Sequence, residues 1–293
     1  MSCFTTRFAP SPTGYLHLGH AYAALNAARE ASEAGGRLLL RIEDIDAIRS
    51  RSEFDAAILE DLAWLGLTWE TPVRRQSEHL QDYRDALAKL RDRGLLYRCF
   101  KTRREVLEDI ARAPHGPGED ADGAVYRGGP LSSDEEADFL AGGRAFGWRL
   151  SLDRAAEALD GFGRLAFIEE GAGPAGEAGP IAVDPSREGD VILARKDVGV
   201  AYHLAVVVDD ALQGVSQVVR GQDLFAAAHV QVLLQALLGL PTPTYRHHRL
   251  LLGPDGKRLA KRNGAQSLRD LRREGAKPAD IRARLALGLA DAG

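Results

Sequence analysis

Arg7-Phe8-Ala9-Pro10-Ser11-Pro12-Thr13-Gly14-Tyr15-Leu16-His17-Leu18-Gly19-His20, running on into the alanine-rich Ala21 to Arg29, is the stretch on which the fold turns. Residues 4–9 read as a short buried strand. Pro10, Pro12 and Gly14 end it: each proline fixes φ and lacks a backbone donor, and the glycine permits a tight turn. From Gly19 onward the alanines bring helix propensity and an apolar stripe, which predicts a helix beginning near Leu18. A strand, a turn and a helix N-terminus at the edge of a parallel sheet bring unpaired N–H groups and the positive end of the helix dipole to one place, a ready anion site. His17 and His20, three apart, fall in the first helical turn, where both can face one phosphate. At that spacing alone, two histidines would equally suit packing in a strand–helix connection, or a metal pair.

Composition bounds what such a site can belong to. The 293 residues, 45% hydrophobic and 27% charged, suffice for one large or two modest domains with real cores. A net charge of −4 gives no overall basic signal, so an RNA partner needs local basic patches. Two cysteines, Cys3 and Cys99, argue against a disulfide framework and suit a reducing, cytoplasmic setting. No apolar run approaches the roughly 20 residues that span a bilayer. The first strand is too short for a signal peptide and Pro10 ends it, so no membrane partner is expected.

Outward from the opening string, Gly35-Gly36 close the first helix and Arg37 to Ile42 reads as a second strand. This strand–helix–strand unit puts Glu43, Asp44 and Asp46 at the carboxyl edge of a parallel sheet, where open α/β sheets bind ligands. Alone, those carboxylates would equally form an acidic helix cap or a solvated turn. Residues 52–65 and 80–95 read as amphipathic helices, with Ser52 as an N-cap and Gly94 as a C-terminal stop. Residues 113–124 and 171–189, rich in Gly, Ala and Pro, read as flexible loops. Between them, 146–150 and 165–168 read as strands of a small α+β insertion. Residues 189–197 are expected to resume the main sheet, and the valine-rich run 200–210 to be a strand buried on both faces. A helix over 226–238, a strand-like stretch, a Gly-rich basic loop over 253–265 and a last helix from Pro278 to Leu289 complete the chain.

Arg7 to His20 resembles the HIGH signature of class I aminoacyl-tRNA synthetases, in the form R-F-A-P-S-P-T-G-x-L-H-x-G-H used by the glutamyl branch. Arg41-Ile42-Glu43-Asp44-Ile45-Asp46 resembles that branch's R-I-E-D-T-D, and Trp64 to Trp69 its WLGLxWD segment. Ala201-Tyr202-His203-Leu204-Ala205-Val206-Val207-Val208-Asp209-Asp210 resembles the glutamate-pocket element, and Val218 to Leu224 its V-x-R-G-x-D-L partner. Arg258-Leu259-Ala260-Lys261-Arg262-Asn263-Gly264-Ala265 resembles the KMSKS loop as K-L-S-K-x-N-G-A, with Arg258 at the first lysine, Lys261 at the second and Ala260 in place of the serine.

The resemblance implies an α/β, Rossmann-type class I catalytic domain over 1–96 and 190–239. It further implies an α+β connective insertion over 97–189, and a KMSKS-like loop with a short helical stem region over 240–293, with no anticodon-binding domain. It assigns Arg7, Phe8, Ala9, Pro10, Ser11, Glu43, Tyr202 and Arg220 to glutamate, Glu43 meeting the α-ammonium. ATP falls to His17, Gly19, His20, Arg258 and Lys261, of which His17, His20 and Lys261 are catalytic, and Mg2+ is expected on the pyrophosphate. The chemistry is coherent. Arginine binds carboxylates bidentately in a fixed plane, so Arg7 and Arg220 supply two forks and Glu43 one anion for a ligand with two carboxylates and one ammonium. A buried arginine lacking its carboxylate is costly, so glutamine should be rejected. Arg74 and Arg75 read as low-specificity RNA contacts.

Relatives often carry a zinc knuckle at the start of the insertion. Here Cys99 fits its first ligand and Tyr126 its tyrosine, but Lys101 and Pro130 stand where two cysteines would. A structural zinc needs about four N, S or O ligands, so these residues read as a remnant and no metal site is expected. The overall resemblance is to the truncated paralogues of the branch, the glutamyl-Q tRNA(Asp) synthetases. These activate L-glutamate with ATP without needing tRNA and transfer it to queuosine at the wobble position of the tRNA(Asp) anticodon stem-loop. A monomer is expected. The alternatives are a minimal glutamyl-tRNA synthetase charging the 3′ end of tRNA(Glu), a glutamate activator loading a non-tRNA acceptor, and a non-catalytic RNA-binding paralogue.

Overall fold

β1 (Thr5–Phe8), α1 (Leu18–Glu33) and β2 (Arg37–Ile42) form the strand–helix–strand unit that the opening string predicts. The structure is a computed structural model and describes residues 3–112, 125–196, 199–252 and 266–286. There follow α2 (Ser52–Trp64), β3 (Glu70–Arg75), α3 (Leu80–Asp92), β4 (Leu96–Cys99), α4 (Arg103–Arg112), α5 (Ser133–Ala141), β5 (Gly147–Leu150), α6 (Leu152–Leu159), β6 (Ala166–Glu169) and β7 (Gly179–Ala182). Then come β8 (Ile192–Arg195), β9 (Gly199–Val200), α7 (Tyr202–Leu212), β10 (Gln217–Gly221), α8 (Phe225–Leu238), β11 (Thr244–His248), α9 (Leu268–Arg273) and α10 (Pro278–Ala286).

β1, β2 and β3 are parallel neighbours. β10, β11 and β6 form a second parallel group, with β7 folding back antiparallel on β6. The two groups meet at β1 and the entrance to β10. There the Ser216 N–H donates to the Thr5 carbonyl and the Thr5 N–H to the Ser216 hydroxyl, both at 2.9 Å. The parallel strands therefore lie side by side as β3-β2-β1-β10-β11-β6. The order reverses between β1 and β10, the switch point at which open α/β sheets bind ligands beyond the carboxyl ends of their strands.

Three expectations are corrected. Residues 189–197 do not resume this sheet: β8 pairs antiparallel with β5 and β9, in a separate sheet ordered β4-β5-β8-β9. Conversely, β6 and β7 extend the main sheet through Glu169 beside Tyr245, so residues 171–189 hold a strand and not only loop. The valine-rich run is a helix, α7, with every residue from Leu204 to Asp210 buried. A short run buried on all sides shows no period, so its sequence does not separate strand from helix. At a finer level, Arg51 occupies the N-cap of α2 without a side-chain bond, and Ser52 is its first helical residue. Gly94 does follow the end of α3.

Helices cover both faces of the sheet. On one side α3, α7 and α8 share a core through Tyr83, Leu90, Leu204, Val207, Leu233 and Leu234. Each fully buried leucine there contributes about 1.5–3 kcal/mol. On the other side α1 and α2 pack with α9 and α10 through Ala21, Ile58, Leu62, Leu271 and Ile281. Trp64, Leu67 and Trp69 join this second core as packing residues. α10 begins at Pro278 as expected and is described as far as Ala286. The loop expected over 113–124 and the basic loop over 253–265 lie outside the described residues. Among the described residues no helix is long and apolar enough to cross a membrane.

Candidate active site

The turn after β1 is fixed by its neighbours. The Glu43 N–H donates to the Pro10 carbonyl and the Arg51 N–H to the Pro12 carbonyl, each at 3.0 Å, so the exits of β1 and β2 lie together. His17 is the N-cap of α1. Its Nδ1 accepts the Gly19 N–H at 3.1 Å, and its own N–H donates to His20 Nδ1 at 3.2 Å. This is a reciprocal capping box in which two histidines replace the usual hydroxyl and carboxylate. The ring centroids are 3.9 Å apart. Because each Nδ1 accepts, each neutral ring carries its proton on Nε2 and is a donor there. A Cβ on Gly19 would stand 2.9 Å from His17 Cε1, so only glycine lets the ring fold over this position. The chain returns here after the basic loop: the Leu268 N–H donates to the Leu16 carbonyl at 2.8 Å, and Ser267 bridges to His17. Arg258 and Lys261 lie outside the described residues.

Beside this turn lies a buried ionic cluster. Arg7 binds Asp210 through Nε at 3.0 Å and Nη2 at 3.3 Å. Arg41, wholly buried, reaches Asp210 at 2.7 Å, Glu43 at 3.1 Å and Asp209 at 3.5 Å. Asp209 also accepts from Arg74 at 2.7 Å, Gln76 at 2.8 Å and the Tyr83 hydroxyl at 2.9 Å. Arg7 is thus not an uncommitted fork, since two of its nitrogens serve Asp210. Burial alone would raise Asp210, but Arg7 and Arg41 outweigh it and hold the carboxyl below its usual range. Burial wins at Glu43, which is raised despite Arg41 and Arg7. Arg41, Asp209 and Asp210 were missed as site residues. All three stand in the quoted motifs, and reading 200–210 as a helix would have placed both aspartates at one end of it.

Arg220, near the end of β10, is 5% exposed. Its Nε donates to His247 Nε2 at 3.0 Å and its Nη1 to Gln231 Oε1 at 2.8 Å. The guanidinium lies 5.3 Å from the Tyr245 ring centroid. Tyr202, the first residue of α7, is raised by burial, and Arg220, Glu43 and Arg7 all act on it. Arg7, Glu43, Tyr202 and Arg220 therefore come from four separated segments to one edge of the sheet. Phe8 and Ala9 are half-buried there, Pro10 is buried and Ser11 exposed. His203 is pushed down to about 4 by burial and by Arg220, so its ring is neutral.

Arg74 and Arg75, read as RNA contacts, are engaged in ion pairs: Arg74 with Asp209 and Asp82, Arg75 with Asp55, each at 2.7 Å. In the insertion, Cys99 and Tyr126 meet in a small core with Tyr97 and Val106. Lys101 Nζ lies 6.0 Å from the Tyr126 ring centroid, and Pro130 is exposed. A thiol, a phenol, an ammonium and a proline do not make the ligand set of a structural zinc. Among the described residues no group of three or more His, Cys, Asp or Glu could hold a metal ion.

Residues 4–135 and 176–290 match the family model described as tRNA synthetases class I (E and Q), catalytic domain. The chain belongs to that family. Among curated class I relatives, it is 50% identical to the glutamyl-Q tRNA(Asp) synthetase of Rhodobacter capsulatus, over 94% of this chain and 98% of that one. It is 42% identical to the glutamyl-Q tRNA(Asp) synthetase of Symbiobacterium thermophilum, over 97% and 87%. It is also 42% identical to glutamate–tRNA ligase 2 of a Ruegeria species, over 94% of this chain and 58% of that one. Among solved class I structures, the glutamate tRNA ligase of Elizabethkingia meningosepticum in complex with its amino acid superposes with a TM-score of 0.70 at 26% identity. That match covers 90% of this chain and 53% of that one, so the chain spans about half the length of the ligase.

Proposed function

We propose that the chain, as a monomer, activates L-glutamate with ATP without needing tRNA, and then transfers it to the queuosine base at the wobble position of tRNA(Asp). The observation that carries glutamate activation is the meeting of the histidine-capped α1 N-terminus with Glu43, Tyr202 and Arg220 at one sheet edge. The acceptor follows the relatives matched at 50% and 42% identity over nearly their whole lengths.

Activation is an in-line attack of the glutamate α-carboxylate oxygen on the ATP α-phosphorus, with the bond to pyrophosphate breaking. The protein contributes position and charge rather than covalent chemistry. Glu43 takes the α-ammonium and Arg220 the side-chain carboxylate. The Nε2 donors of His17 and His20, with the N-terminus of α1, take negative charge on the phosphates. Lys261 lies six residues before Ser267, which abuts His17, and an extended chain of that length reaches about 20 Å. Its point charge is suited to following the departing pyrophosphate. Asp209 and Asp210 are committed to arginines and Glu43 is given to the α-ammonium, so magnesium would arrive on the triphosphate oxygens and offset charge there. The insertion is held by packing around Tyr97, Cys99, Val106 and Tyr126, without zinc.

The test is transfer of radiolabelled glutamate, with ATP, to queuosine-containing tRNA(Asp) and to tRNA(Glu). Label is expected on tRNA(Asp), and it should vanish when the wobble base is guanosine. The second reading, a minimal charging enzyme, is favoured by the 42% identity to a glutamate–tRNA ligase and would put the label on tRNA(Glu). Label on neither tRNA, with pyrophosphate exchange intact, would point to a non-tRNA acceptor.

A further inference from the structure

Arg220 is anchored from behind by side chains on the next two strands. Arg220 and His247 are register partners on β10 and β11, and Glu169, at the end of β6, is level with Tyr245. His247 Nδ1 lies 2.5 Å from Glu169 Oε2, while Glu169 Oε1 accepts the backbone N–H groups of His247 at 2.9 Å and Gly171 at 2.8 Å. An ionised carboxylate only accepts, so the imidazole proton sits on Nδ1 and Nε2 is left to accept from Arg220. A Cβ on Gly171 would lie 2.3 Å from the His247 carbonyl and 2.9 Å from Glu169 Oε1, so this cradle closes tightly around the carboxylate. Burial lowers His247; Glu169 opposes this and Arg220 adds to it, with the net shift downward, so the ring remains neutral and the acceptor persists.

The arrangement holds two sides of the guanidinium and leaves the third. Nη2 is buried and meets no hydrogen-bond acceptor among the described residues. Such an atom is costly unless a ligand supplies the acceptor. Arg7 differs, because a carboxylate contacts it directly and shares its charge. Around Arg220 the direct partners are a neutral imidazole and an amide. The carboxylate of Glu169 stands one ring away, behind His247, where its attraction is weaker.

We propose that Glu169 and His247 are positioning residues for Arg220, fixing the guanidinium plane so that Nη2 meets the substrate's side-chain carboxylate and glutamate is selected over glutamine. This rests on the glutamate reading given above and deepens it. The relay orients the cation without neutralising it.

The experiment is ATP–pyrophosphate exchange with glutamate and with glutamine, on wild type and on Glu169→Gln, His247→Leu and His247→Gln, with thermal melts of each. His247→Leu removes the acceptor and is expected to raise the glutamate KM by about tenfold to a hundredfold. The ATP KM should move less than about twofold, and the preference for glutamate over glutamine should fall. His247→Gln places an amide oxygen where Nε2 was and should recover most of that loss. Glu169→Gln frees the tautomer and should raise the glutamate KM by about tenfold. If His247→Leu fails to fold, the comparison of Glu169→Gln with wild type decides. An active wild type whose variants keep its glutamate KM, or raise both KM values alike, overturns the relay alone. A wild type without glutamate-dependent exchange overturns the glutamate reading and the relay with it.

Discussion

His17 does two things within one helical turn: it caps α1, and it holds its ring against His20. The donors assembled there are fixed before a nucleotide arrives, the preorganisation that makes electrostatic catalysis effective. A further positive charge is expected to come from Lys261. Lys261→Ala should lower the exchange rate by about a hundredfold to a thousandfold while glutamate binding, measured by calorimetry, stays within about twofold. Equal losses in both would remove Lys261 from the chemistry. The pairing of His17 with His20 was legible because both sit in one unbroken string. The partners of Arg7 and Arg220 were not. Asp210 is 203 residues from Arg7 in sequence and His247 27 from Arg220, and no local pattern marks either pairing.

α7 joins the ionic cluster to the apolar core. Its first residue, Tyr202, stands near Arg220, Glu43 and Arg7, its middle is buried valine, and its last turn carries Asp209 and Asp210. Asp209 is fully buried and serves Arg41, Arg74, Gln76 and Tyr83. Removing one partner of such a cluster leaves uncompensated buried charge, so Asp209→Ala should cost about 3–5 kcal/mol in urea unfolding. Tyr83→Phe, which removes one neutral donor, should cost about 1 kcal/mol. A helix of this kind is hard to read, because full burial erases the alternation that separates helix from strand. By contrast α1 and α3 were legible, each being closed by a glycine signal and long enough to show its period.

At the scale of the whole molecule, Asp61 contributes a pH dependence of stability. Asp61 on α2 is fully buried; among the described residues its carboxylate accepts no hydrogen bond, and Arg272 on α9 stands 3.8 Å away. Burial pushes it up to about 6, opposed by Arg272. The sign follows from linkage: the folded state holds this proton more tightly than the unfolded chain, whose ordinary value is about 3.9. The contribution is complete below that value and is lost as pH rises to about 6. Asp61→Asn should therefore melt higher than wild type above pH 6, with the difference closing towards pH 4; equal melting temperatures at pH 7 would refute it. The parallel pairing of β1 with β2 was legible from the opening unit, but the traffic between sheets was not. The chain leaves the main sheet after β3, builds β4 and β5 elsewhere, returns for β6 and β7, leaves again for β8 and β9, and comes home at β10. The insertion is therefore stitched in rather than plugged in. A chimera cut at residues 97 and 189 would carry away β6, and Glu169 with it. Exchanging this block between relatives would then transplant the carboxylate proposed to hold Arg220 in place, so a change in amino-acid preference is expected to travel with the insertion.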